Sequence, residues 1–282
     1  MFEQDELVQE LGDGYTNEVV KRLHRFVFLP PKIVDQLAGE ALSENWGNDR
    51  YVLAKYLAVH IPWSIEQGRF TQSSNQFYTT AGHLQTRYGT PLYLVFAKNA
   101  LPGPKWRVIA AGSQISAPEL PTPPDIPAPP AVPQGAEVVM LHEHILGERA
   151  DRVPFLKQTP SVAQMCAVSG AIQWSLNRHL ELPYWYFGKM NYLVPLYLQS
   201  REDITLAPDL IAPIQVNPDS LMVRTVLEPA MPYANARVAV RRHDQLPHWL
   251  LDGWNAFSAK VSTAQVEDPE KEVSDDTPVS KY

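Results

Sequence analysis

Leu7 and Leu11, then Val19, Val20 and Leu23, recur at the interval that puts them on one helix face, which predicts helices over residues 3–11 and 16–28. The apolar run Phe26-Val27-Phe28-Leu29 closes the second of these before Pro30-Pro31. Proline suits a first helical turn, so Pro31 opens another helix whose face is Ile33, Val34, Leu37, Ala38, Ala41 and Leu42. A further helix spans 51–65, and Pro62, which lacks a donor and clashes with the preceding turn, is expected to bend or end it. From residue 76 short apolar runs take over. Phe77-Tyr78, 92–96 and 106–109, divided by Tyr88-Gly89-Thr90-Pro91 and Pro102-Gly103-Pro104, read as strands and turns.

Strand signal returns over 137–141. Residues 161–180 then carry Val162, Met165, Cys166, Ser169, Ile172, Gln173, Leu176 and Leu180 at helical spacing, with Thr159 as a cap ahead of Pro160. Strands are expected over 192–198, 212–216, 222–227 and 236–240, and a short helix over 248–257 ends the body near Lys260. The fold class is therefore α+β: a helical N-terminal third, then a mostly antiparallel sheet packed on the long central helix.

Composition adds two irregular segments. Residues 118–133 hold eight of the 26 prolines and are expected as an extended polyproline surface loop. Residues 263–282 hold six acids against two lysines and so carry -4 of the net charge of -7. The polar tail 261–282 cannot repay its ordering entropy and is expected to be disordered. No break in composition forces a division inside 1–260, although the proline stretch is the best candidate for a boundary, and no internal repeat is visible.

The remaining charge is too small to draw the chain to nucleic acid or an anionic membrane through a global field, though a local basic groove is compatible with it. No apolar run approaches the ~20 residues that span a bilayer, and the acidic start lacks a signal-peptide pattern, so a cytoplasmic location is expected. Cys166 is the one cysteine, which fits a reducing compartment and reads as a small core residue.

The sequence has no Walker loop, dinucleotide glycine turn, nucleophile elbow or His-Glu-x-x-His. His142-Glu143-His144 places two imidazoles at a strand end, where two ligands do not define a metal site, and no metal or cofactor is expected. Tyr184-Trp185-Tyr186-Phe187-Gly188-Lys189 interleaves aromatic rings with a cation, as base stacking and phosphate neutralisation require, or as a core segment entering a strand would. Arg237 and Arg241 would share a face if 236–240 is a strand, forming a clamp for phosphate or a soluble edge.

Several stretches resemble the bacterial family called domain of unknown function 3825. They are Ala171-Ile172-Gln173-Trp174, Leu182-Pro183-Tyr184-Trp185-Tyr186 with Lys189, Leu193 to Leu198, and Pro232-Tyr233-Ala234-Asn235-Ala236-Arg237. His144-Ile145-Leu146, Arg152-Val153-Pro154, the 77–99 segment and the 37–46 stretch extend the resemblance over about residues 20 to 251. Members of that family recur beside OST-HTH (LOTUS) and cold-shock domains, which implies an RNA-related role by association.

The polar residues that fall in matching motifs are His144, Arg152, Lys189, Asn235 and Arg237, a set that suits an anionic phosphate ligand. The expected function is an RNA- or nucleotide-binding module in which Lys189, Arg237 and Arg152 neutralise phosphate and Tyr184 or Tyr186 stacks a base. One alternative is a phosphoesterase or nucleotide hydrolase with His144 as general acid or base. Another is a scaffold that recruits protein partners through the proline-rich loop and acidic tail. All the functional readings need these side chains to be gathered by the fold.

Overall fold

The computed structural model describes residues 3–14, 18–148, 152, 154–156, 158–199 and 203–267. The expected α+β class holds, with helices and two mixed sheets. Where composition forced no division, the chain packs as two compact units, the first mainly residues 1–126 and the second mainly 127–239 and 244–263. The boundary falls inside the proline stretch.

In the first unit, α1 (Gln4–Leu11) and α2 (Val19–Phe26) lead directly into β1 (Val27–Phe28), so the middle of the apolar 26–29 run is strand. α3 (Pro31–Glu40) begins with Pro31 in its first turn, as expected. α4 (Tyr51–Glu66) runs through Pro62, which does not end the helix and is buried like every other residue from Tyr56 to Ile65. Packing on all sides outweighs the lost backbone bond. Four strands follow: β2 (Thr71–Ser73), β3 (Gln76–Gln85), β4 (Pro91–Lys98) and β5 (Trp106–Gly112). The sheet order is β1-β5-β4-β3-β2, with β1 parallel to β5 and the other pairs antiparallel.

Its core is aromatic. Phe77 stacks on its cross-strand partner Phe96 at 4.3 Å, and Trp106 meets Phe77 edge-on at 4.9 Å. Arg22, 7% exposed, ties three helices together by donating to the carbonyls of Leu11 and Gly12 and to the Glu66 carboxylate. Gly82, at φ 62°, sits where the β3–β4 register shifts; a Cβ there would come within 2.7 Å of the Tyr56 hydroxyl. Only glycine allows that approach. The proline stretch is held down at its start: Thr71 donates to the Glu119 carbonyl, Arg69 pairs with Asp125, and Pro121 and Pro124, three residues apart on a polyproline helix, are buried.

The second unit is built on β6 (Glu137–Met140), α5 (Ser161–Leu176), β7 (Leu182–Tyr186), β8 (Lys189–Leu196), β9 (Leu210–Val216) and β10 (Ser220–Val223). Its order is β6-β10-β9-β8-β7, with β6 parallel to β10 and the rest antiparallel. This is the connectivity of the first unit over again: a strand, a crossover ending in a sixteen-residue helix, and four antiparallel strands returning beside the first. The repeat lies in topology and left no period in the residues.

One face of the second sheet, through Val194, Leu196, Ala212, Ile214, Leu221 and Val223, packs on Val168, Ala171 and Ile172 of α5. That helix stops at Leu176, short of Leu180, and Pro160 occupies the cap position with no side-chain bond, so Thr159 does not cap it. The expected strand over 236–240 is instead helix α6 (Tyr233–Val238), because Pro232 starts a turn that continues through four good local bonds and buries Ala234, Ala236 and Val238. α7 (His248–Glu267) is longer than the expected 248–257, and Trp254 stacks on Tyr233 at 5.1 Å. Of the expected tail 261–282, residues 261–267 continue α7, and 268–282 lie outside the described residues.

Candidate functional site

Strands β7 and β8 form a hairpin whose register pairs Tyr186 with Lys189 and Tyr184 with Asn191. Directly opposed residues on antiparallel strands share a face, so these four side chains stand on one side of the sheet. Tyr184 and Tyr186 stack at 6.2 Å with an 18° tilt. Tyr184 is buried, and burial first, then the Tyr186 phenol, pushes its own phenol well above the usual range. Tyr186 is partly open and Lys189 is exposed at the strand start.

The two-residue turn is Phe187-Gly188, with φ of 51° and 76°. Left-handed backbone at both positions is the geometry that suits a tight hairpin, but Asn or Gly normally occupies the first. A phenylalanine there costs about 1 to 2 kcal/mol. The same left-handed backbone occurs at the non-glycine residues Asp49, Arg50, Ser74 and His179.

Helix α6 packs on β7. It places Asn235 beside that edge strand with its side-chain carbonyl dehydrated and accepting no hydrogen bond from the described residues. Arg237 is 2% exposed, so its guanidinium is held inside. Since 233–238 is helical, strand alternation does not put Arg237 and Arg241 on one face.

His144 and Arg152 lie elsewhere. His144 follows β6 in a wide helical turn (Glu143–Glu148), where its Nδ1 meets the Glu148 carboxylate at 2.7 Å. Arg152 donates to the Val226 carbonyl, just past β10. β6 is the opposite edge of the sheet from β7, four strand spacings of roughly 4.8 Å away. Register adds a second displacement. Met140, Val223, Ile214, Tyr192 and Pro183 form one row across the sheet; His144 lies past it on one side and Tyr186 on the other. The predicted residues thus fall at two diagonally opposed corners, one with Tyr184, Tyr186, Lys189, Asn235 and Arg237, the other with His144 and Arg152.

Among the described residues no three His, Cys, Asp or Glu side chains gather as a metal site. Cys166 is exposed on α5 and is no core residue. Sequence reasoning passed over Lys55, a single cation in the apolar run 51–65; that isolation was the available signal. Burial alone pulls its amine down from the ordinary 10.5 to about 8.

No described helix is long and apolar enough to cross a membrane. Comparison with curated proteins finds none that matches, and comparison with solved structures likewise finds none. A family model does match, over residues 37–246, which takes in every strand but β1, the aromatic hairpin, α6 and Lys55. The chain therefore belongs to the family described as domain of unknown function (DUF3825).

Proposed function

We propose that this protein is an RNA- or nucleotide-binding module that receives its ligand at the β7–β8 hairpin. The observation that carries the reading is the cross-strand pair Tyr186–Lys189 on one face beside a strained Phe187. Tyr186 offers a ring face for a base, and Lys189 an ammonium for the neighbouring phosphate. Tyr184, stacked behind Tyr186, holds that ring in place, while the Asn235 side-chain carbonyl is closed off from solvent and from an incoming base. Arg237, being buried, serves the packing of α6 and does not neutralise phosphate. The test is titration of a short single-stranded RNA at low and raised salt. Binding is expected to weaken with salt, and both Tyr186→Ala and Lys189→Ala should lower affinity at least several-fold. Absence of RNA and nucleotide affinity at low salt, or affinity untouched by either substitution, overturns the reading.

A hydrolase reading draws on the other corner, where the Glu148 carboxylate orients the His144 imidazole and Arg152 stands at the same end of the sheet. Turnover of dinucleotides, cyclic nucleotides or short RNA that His144→Ala abolishes would establish it, and its absence would remove it. The scaffold reading rests on composition, and its docked prolines, Pro121 and Pro124, already face inward.

A further inference from the structure

Helix α5 carries no Asp, Glu, Lys, Arg or His over its sixteen residues, whereas every other helix from α1 to α7 has at least one among its described residues. A helix of that composition belongs between two packed layers. Only one layer is present: Val168, Ala171 and Ile172 pack on the second sheet, and the opposite side of the helix meets solvent. There Val162 is 70% exposed, and Cys166 and Gly170 follow it at four-residue intervals, both exposed, in one ridge flanked by Ala163 and Met165.

Gly170 lies inside the helix, where glycine is less favourable than alanine. A Cβ there would meet nothing within 4 Å, so no neighbour within the chain asks for its absence. The first unit shows what a helix in this place accepts: α4, with the same connectivity, is packed by α1, α2 and α3 as well as by β3.

We propose that the outer ridge of α5 pairs with the same ridge on a second copy of this chain. Charge selects that occupant. A two-fold contact sets each side chain near its own counterpart, so a ridge with net charge would repel itself, and this one has none. An acidic or basic partner would find no counter-charge on it. Sixteen residues give a footprint ~24 Å long and ~10 Å wide, well short of the roughly 800 Å² that each partner contributes to a stable complex, so the pair is transient and concentration-dependent. Cys166 and Gly170 let the two helices approach closely at the centre of the contact. The surface is separate from the hairpin and needs neither RNA nor nucleotide.

The test is sedimentation of the full chain, reduced, from low-micromolar to near-millimolar concentration. The average mass is expected to rise toward that of a dimer, and raised salt should leave the rise unchanged, because no charges are opposed across the contact. Val162→Glu, at a solvent-facing position, should raise the dissociation constant about tenfold or more by setting like charges together, with the unfolding midpoint of the monomer unaltered. Cys166→Ser should leave association intact. In the wild-type chain a short bis-maleimide is expected to join Cys166 to Cys166 of a second copy, each thiol adding across one maleimide, and Val162→Glu should suppress that product. A monomeric mass at every concentration overturns the proposal, as does a dimer that Val162→Glu leaves untouched, which would place the contact on another face. Failure of Cys166 to react with a simple maleimide in dilute monomer also overturns it, since the ridge would then be covered from within the chain.

Discussion

The two units share one strand connectivity, yet their crossover helices live in opposite surroundings. α4 is packed by α1, α2, α3 and β3 and buries twelve of its sixteen residues. α5, of equal length, buries only Gln164, Val168, Ala171, Ile172 and Ser175, and leaves Val162 70% and Met165 37% exposed. The difference teaches that connectivity sets where a helix lies, while the elements added outside it set what its residues can do. Under helical cover, α4 can hold Lys55 dehydrated and His60 fully buried, stacked on Tyr56 at 4.0 Å. The second unit puts a left-handed Phe187 and the exposed Lys189 at a hairpin tip instead.

The most severe test of this contrast compares the helices directly. Leu53→Ala, at a site with 0% exposure, is expected to cost about 2 to 5 kcal/mol in denaturant unfolding, whereas Met165→Ala should stay within about 0.5 kcal/mol. Equal losses would erase the distinction. Next in size, Gly82→Ala forces left-handed backbone and a contact with Tyr56, for about 3 kcal/mol of destabilisation measured the same way.

Lys55 gives a smaller effect with a definite sign. Its folded value of about 8 lies below the ordinary 10.5, so the folded chain gives up that proton first. Its penalty is full below about pH 8, and stability recovers as pH rises from there toward 10.5. Lys55→Met should abolish that rise and stabilise the chain near neutral pH by ~2 kcal/mol, discounted for partial exposure. Unfolding midpoints across that window check it. Smallest is Phe187→Asn, which fits the turn: about 1 kcal/mol more stable in thermal unfolding, with weaker RNA binding. Gain of stability without loss of binding would sever the strain at the tip from its use.

The fold was partly legible because local patterns act over one element. Apolar spacing located α3, α4, β4, β5 and α5, but Pro62 does not end α4, since a helix buried around that position tolerates the missing bond. Residues 236–240 were misread because Ala-Arg-Val-Ala-Val alternates like a strand, while the turn begun at Pro232 and its burial decide for helix. Of the site, Tyr186 and Lys189 were legible as an aromatic-cation motif. The inward burial of Arg237, the separation of His144 from the hairpin and the dehydration of Lys55 were not, because each depends on distant neighbours.

The residues by themselves determined the α+β class, the family, the position of most helices and strands, and a proline segment apart from both. Tertiary structure alone decided that two like-connected units form, which of two similar helices is enclosed, and which cations meet solvent. The reason is physical: periodicity fixes which face of an element is apolar, but exposure and charge state depend on what packs against that face from far along the chain.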